Sequence, residues 1–135
     1  MIAETLDPVS SEPNMNPANS SFFPYVMPTH TFANAPDLDV LLVPGGGGMR
    51  VPNVTAISEY IVKVFPKVQY FLTVCTGSGL AARAGVLDGR YATTNKIAFN
   101  QMNGYGPKVK WVAPARWVVD GNVWTSSGVR LSLCM

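Results

Sequence analysis

Val68-Gln69-Tyr70-Phe71-Leu72-Thr73-Val74-Cys75-Thr76-Gly77-Ser78-Gly79-Leu80-Ala81-Ala82-Arg83-Ala84 is the stretch that decides the fold. It opens on an apolar run rich in β-branched and aromatic residues, the composition of a strand. The small residues Thr76-Gly77-Ser78-Gly79 then allow a tight turn, and the Leu80-Ala81-Ala82-Arg83-Ala84 stretch favours helix. The order is strand, sharp turn, helix, with Cys75 on the turn. A sulfur there sits over the positive end of the following helix, an environment that makes a nucleophile.

Asp39-Val40-Leu41-Leu42-Val43 is a second apolar run, closed by Pro44-Gly45-Gly46-Gly47-Gly48. It lacks polar alternation, so it is expected to be a strand buried on both faces, as in a parallel sheet. Between the two runs, Asn53 is a candidate helix N-cap, and Ile57, Ile61, Val64 and Phe65 form one apolar stripe. Pro66 ends that helix. Strand, helix, strand predicts a right-handed parallel crossover. Gly85 is placed to cap the helix after Cys75 in a left-handed conformation.

Farther on, Val109-Lys110-Trp111-Val112 reads as a short strand. Residues 116–119 and 122–125 flank Asp120-Gly121, a strong hairpin signal. Residues 7–28 are rich in Pro, Ser and Asn, and Pro8, Pro13, Pro17, Pro24 and Pro28 predict an irregular segment without helix. Regular structure is expected only beyond it. Residues 1–135 thus read as a single α/β domain with a parallel core and an antiparallel excursion.

Of the 135 residues 47% are hydrophobic, enough for one domain with a real core. A net charge of +2, with 13% charged residues and no basic run, argues against a nucleic-acid partner. No apolar stretch approaches the roughly 20 residues of a membrane span. Met1-Ile2-Ala3-Glu4-Thr5 has neither a basic nor a long apolar region, so no signal peptide is expected. Two cysteines, Cys75 and Cys134, make no disulfide framework, and a reducing cytoplasmic setting is the expectation.

A lone cysteine beside Val and Leu is usually a small buried hydrophobe. The elbow context turns the balance toward a catalytic Cys75. Such a nucleophile needs an oxyanion hole. The Thr76 backbone N–H is one candidate donor, and Gly46, at the C-terminal end of the neighbouring strand, is a second. The run from Gly45 to Gly48 lacks the Lys-Ser/Thr of a P-loop and the spacing of a dinucleotide fingerprint, so close backbone approach to a substrate is the preferred reading. His30, the single histidine, is far from Cys75 in sequence and reads as an exposed or locally bonded residue. No His, Cys, Asp or Glu cluster has metal-ligand spacing. Ser126-Ser127-Gly128 reads as a pocket wall or a plain turn. Trp111, Trp117 and Trp124 read as core or strand-pairing residues.

Four stretches together resemble the ThiJ/PfpI superfamily, which includes the Parkinsonism-associated deglycase and the isonitrile hydratases. They are Asp39-Val40-Leu41-Leu42-Val43-Pro44-Gly45-Gly46, then Thr73-Val74-Cys75-Thr76-Gly77, then Ala84-Gly85-Val86-Leu87-Asp88-Gly89-Arg90-Tyr91-Ala92-Thr93-Thr94, and last Trp117-Val118-Val119-Asp120-Gly121-Asn122-Val123-Trp124-Thr125-Ser126-Ser127-Gly128. The resemblance spans roughly residues 30–129, and the wording is most similar to the fungal, isonitrile-hydratase-like branch. It implies a flavodoxin-like three-layer sandwich of the class I glutamine amidotransferase type, usually a homodimer. It implies Cys75 as nucleophile and the N–H groups of Gly46 and Thr76 as oxyanion donors, with Gly45, Gly77, Asn95 and Ser127 as pocket positions. It implies no metal and no organic cofactor. Isonitrile hydration and glyoxalase or deglycase chemistry are the activities it suggests, on a small electrophilic substrate.

The departures from the family pattern carry expectations of their own. The acidic residue that normally hydrogen-bonds the cysteine has no counterpart, since Glu4 and Asp7 do not match its motif. Where many relatives have His after Ala-Thr-Thr, this chain has Asn95. After Val129 the family's long helix gives way to Arg130-Leu131-Ser132-Leu133-Cys134-Met135. A domain incomplete at both ends is therefore expected. The alternative to a cysteine enzyme is a non-catalytic, redox-sensitive or interaction remnant of the same fold, with exposed sheet faces favouring self-association or pairing with a paralogue.

Overall fold

The computed structural model describes residues 1–10, 19, 21–22, 24–50 and 52–128. Cys134 lies outside the described residues. The chain forms two compact units, residues 1–37 and 38–135.

In the first unit, β1 (Ile2–Ala3) pairs in parallel with β2 (His30–Thr31). Regular structure therefore begins well before Asp39, although each strand is only two residues long. Among the described residues of the Pro/Ser/Asn-rich segment there is no helix, and Val9 and Val26 form an isolated antiparallel bridge.

The second unit is built on a four-stranded sheet. Its strands are β3 (Val40–Val43), β4 (Tyr70–Val74), β7 (Trp117–Asp120) and β8 (Val123–Ser126), in the order β3-β4-β8-β7. β3, β4 and β8 run parallel, and β7 is antiparallel to β8. The Asp120-Gly121 signal does mark a hairpin, but one residue later than expected: Asp120 ends β7 paired with Val123, and Gly121 (φ 62) and Asn122 form the two-residue loop. A short parallel pair, β5 (Tyr91–Ala92) and β6 (Lys110–Trp111), stands apart as its own sheet. The Asp120 carboxylate ties it to the hairpin, accepting the Tyr91 N–H at 2.8 Å and pairing with Arg90 at 3.5 Å.

Helix α1 (Thr55–Val64) supplies the β3–β4 crossover. Its predicted stripe faces inward, and Phe65 meets Phe71 edge to face at 5.1 Å between ring centroids. Asn53 does accept the Thr55 N–H, at 3.1 Å, although Val54 is the residue at the cap position. Helix α2 (Gly77–Arg83) follows Cys75. It ends as expected at Gly85, φ 77, with the Gly85 and Val86 amides closing onto Ala82 and Ala81 carbonyls. Helix α3 (Phe99–Tyr105) is absent from the sequence reading, because two Asn and a Gly make it a weak helix former.

All three helices share one core with one face of the sheet. Ile61, Leu80, Ala81, Ala82 and Met102 pack with Val43, Phe71 and Val123, the last two fully buried. Burying side chains of this size is worth about 1.5–3 kcal/mol each. The expectation that β3 is buried on both faces is overturned: Val40 and Leu42 are exposed, Leu42 at 53%. The apolar run reflects a sheet that is apolar on both sides but covered by described helices on one. Leu42, Leu72, Trp124 and Val119 stand in register across all four strands on the uncovered side. Trp117 and Trp124 are exposed there, so they pair strands without joining the core. Trp111 is half-buried and donates its indole N–H to the Gly106 carbonyl at 3.0 Å.

Candidate functional site

Strand β4 ends at Val74, and the next residue, Cys75, has φ 58. This left-handed conformation costs an L residue about 1–2 kcal/mol. Three hydrogen bonds hold it. The Cys75 N–H donates to the Ser126 carbonyl of β8 at 2.9 Å. The Cys75 carbonyl accepts the Ser78 hydroxyl at 3.1 Å and the Thr94 hydroxyl at 3.2 Å. Ser78 and Thr94 are fully buried, so neither hydroxyl has water to turn to. The backbone thus bends at once from strand into α2 and leaves Cys75 half-buried at the C-terminal edge of the sheet.

The glycines around the elbow are there for space. A methyl group on Gly45 would stand 2.7 Å from Cys75 Cβ and 2.8 Å from the Thr76 nitrogen. One on Gly77 would run into the Val43 carbonyl and stand 2.8 Å from the Pro44 carbonyl oxygen. Only hydrogen at these two positions lets the β3 turn and the start of α2 close on each other. Gly77 therefore serves packing and sits buried against β3, while Gly45 lies directly against the cysteine.

Thr76 and Gly46 meet, but not as two open amides. The Gly46 N–H donates to Thr76 Oγ1 at 3.0 Å, and the Thr76 hydroxyl lies 3.3 Å from the Gly46 carbonyl, which it can donate to. The expected Gly46 donor is thus engaged by a side chain, because Gly46 at φ 144 turns its amide toward the start of α2. Among the described residues the Thr76 N–H has no partner.

Asn95 is brought to the same place. Its Oδ1 accepts the Ile97 and Ala98 amides at 3.0 and 3.1 Å, just before α3. Gly128 lies close to both it and the cysteine: a point one bond out from the Gly128 Cα is 3.5 Å from Asn95 Nδ2 and 3.6 Å from Cys75 Sγ. Ser127 instead uses its N–H on the Arg116 carbonyl at 2.8 Å, holding the end of β8 to the hairpin. His30 belongs to the first unit, where its Nδ1 lies 3.1 Å from Thr29 Oγ1. Among the described residues no group of three His, Cys, Asp or Glu side chains could hold a metal ion.

The residues missed from sequence are Ser78 and Thr94, while Gly128 falls in the Ser126-Ser127-Gly128 stretch read as a pocket wall or a turn. Thr93-Thr94, two hydroxyls just after β5, are a faint signal for buried hydrogen bonding. Nothing local pairs Thr94 with Cys75.

A family model described as the DJ-1/PfpI family matches residues 16–133. The chain belongs to the DJ-1/PfpI family. The matched span is wider than the motif resemblance of residues 30–129. The chain is 35% identical over 115 residues to the isonitrile hydratase of Pseudomonas putida, covering 84% of this chain and 49% of that protein. It is 33% identical over 119 residues to the DJ-1 homolog D protein of Arabidopsis thaliana, covering 74% of this chain and 28% of that one. The crystal structure of a ThiJ/PfpI family protein from Pseudomonas syringae superposes with a TM-score of 0.75 at 30% identity, over 96% of this chain and 50% of that one. This DJ-1/PfpI chain therefore spans half or less of the length of these relatives. Its parallel sheet and helices have the α/β architecture of the family. No helix among the described residues is long and apolar enough to cross a membrane.

Proposed function

We propose that this DJ-1/PfpI chain is a cofactor-independent cysteine enzyme in which Cys75 attacks a small electrophilic carbon, that of an isonitrile or a 2-oxoaldehyde. The observation that carries this reading is the left-handed Cys75, held in place through its carbonyl by two buried hydroxyls. A backbone strained in this way and over-determined by its surroundings is the mark of a pre-organised site. The likeness to an isonitrile hydratase supports the substrate class.

On attack a C–S bond forms, and the carbonyl π pair of the aldehyde moves onto its oxygen. The Thr76 N–H, which has no described partner, receives that charge. Gly46 joins it as second donor once the Thr76 hydroxyl rotates off its amide. Each well-placed donor contributes about 3 kcal/mol to such a step. A cytoplasmic setting suits a thiol that has to stay reduced. Turnover of methylglyoxal and of a simple alkyl isonitrile by the parent and by Cys75→Ser tests the reading. The parent is expected to turn over one of them and the variant neither; equal rates, or none in the parent, refute it.

A second reading rests on a separate observation. The uncovered side of the sheet carries Val40, Leu42, Tyr70, Trp117, Val119 and Trp124, all exposed and none charged. We propose that a second copy of the chain packs on this face as a homodimer, since two uncharged sheet faces satisfy each other at the usual ~10 Å sheet spacing. In this reading the chain is an interaction module whose Cys75 responds to oxidation. Sedimentation of the wild type and of Trp124→Glu tests it. A dimer that the glutamate converts to monomer is expected, and a wild-type monomer at every concentration overturns it.

A further inference from the structure

Asn95 is a polar side chain beside Cys75 whose two ends are doing different things. Its Oδ1 is committed: it accepts two amides, from Ile97 and Ala98, and so fixes the plane of the side-chain amide. Fixing Oδ1 also fixes Nδ2, which then has to point away from α3. No acceptor among the described residues takes the Nδ2 hydrogens. Gly128 lies beside them. The point where a side chain on Gly128 would begin is 3.5 Å from Nδ2 and 3.6 Å from Cys75 Sγ. Gly128 has no side chain and, at φ 136, sits where an L side chain is strained. A space about one methyl group across is thus kept open among the described residues, with Cys75 Cβ, Cys75 Sγ and Asn95 Nδ2 all at 3.5–3.6 Å from its centre.

Resting on the reading of Cys75 as nucleophile, we infer that Asn95 is a specificity-determining residue. Its Nδ2 is a fixed donor that selects electrophiles carrying an acceptor oxygen on the carbon next to the one attacked. The geometry requires the pair. Sγ bonds to one carbon, and the neighbouring atom of the substrate then lies in the Gly128 gap within reach of Nδ2. In a 2-oxoaldehyde that neighbour is a ketone, whose oxygen accepts the hydrogen bond. The thiol adds across the aldehyde: the C–S bond forms, the C=O π pair becomes an alkoxide, and the thiol proton ends on that oxygen as a hemithioacetal. The ketone is unchanged and needs no co-reactant. A plain aldehyde or an alkyl isonitrile has no acceptor at that place and gains nothing from Asn95.

The test uses adduct formation at Cys75 and needs no turnover. Protection of Cys75 from N-ethylmaleimide, quantified on its own peptide by mass spectrometry, gives apparent dissociation constants for methylglyoxal and for propanal. Asn95→Asp keeps an oxygen to cap α3 and loses the donor; Asn95→Ser keeps a capping oxygen without adding charge. Both variants are expected to weaken methylglyoxal relative to propanal by about five- to tenfold, the worth of one neutral hydrogen bond. Taking the ratio cancels any general change in thiol reactivity that the aspartate brings. A ratio unchanged in both variants overturns the role of Asn95 while leaving Cys75 a nucleophile. A folded wild type whose Cys75 reacts with neither aldehyde nor maleimide overturns the nucleophile reading, and this inference with it.

Discussion

Replacing Cys75 by glycine should leave the protein more stable than replacing it by alanine, the reverse of the usual order inside folded structure. Both changes remove the sulfur, so the comparison isolates the backbone. At φ 58 the Cβ of any L residue crowds the following carbonyl, at a cost of about 1–2 kcal/mol that glycine escapes. Glycine in turn loses about 0.4–1 kcal/mol through the greater freedom of its unfolded chain. The angle cannot relax to spare alanine the strain, because the N–H is held by the Ser126 carbonyl and the carbonyl by Ser78 and Thr94. The net expectation is that Cys75→Gly exceeds Cys75→Ala by about 0.5–1 kcal/mol. Urea midpoints of the two variants at equal m-value measure the difference directly. An alanine variant as stable as the glycine one, or more so, refutes the reasoning, since the elbow would then store no strain.

Thr73 is buried on the covered face of β4 with no partner for its hydroxyl among the described residues. Thr73→Val should therefore raise stability by about 1 kcal/mol, and a drop in the urea midpoint would count against an unpaired hydroxyl there. Gly77→Ala should cost more than 1–3 kcal/mol, at or beyond the usual cost of overpacking, because the added methyl meets backbone carbonyls of Val43 and Pro44 that cannot swing aside. Unchanged thermal unfolding in that variant would contradict the close approach of α2 to β3. Burial lifts the Tyr60 phenol above its ordinary value of 10.0. Its unfolded form ionises first as pH rises, so the Tyr60 contribution is complete below about pH 10 and is lost above it. Tyr60→Phe should accordingly flatten the alkaline fall in stability, and an identical pH profile for both proteins would argue against that burial.

The elements legible in the sequence were those with a local cause. A β-branched run ending in Cys-Thr-Gly-Ser-Gly has to be strand, turn and helix, and Asp-Gly between two alternating runs has to be a hairpin; both are present. Helix α3 was illegible because Phe99-Asn100-Gln101-Met102-Asn103-Gly104-Tyr105 has poor intrinsic propensity. It forms because Asn95 caps its approach and Met102 is fully buried against Gly79, which leaves room for it. Likewise β1, β2 and β5 are two residues each, too short to show a period, whereas β6 lies inside the Val109-Lys110-Trp111-Val112 run read as a strand. At the site, Cys75 and its glycines could be named from spacing alone. That Gly46 spends its amide on Thr76 could not, since the two are thirty residues apart.

What the amino-acid order alone determined is the family, the elbow, and the strands flanking it, because backbone propensity and turn chemistry act over a few neighbouring residues. Which face of the sheet the helices cover, and which distant hydroxyls clamp the cysteine, was decided only by the tertiary structure. Thr94, Ser126 and Gly128 reach Cys75 through strand register and crossover packing, and those depend on how whole elements stack rather than on any residue's own preference.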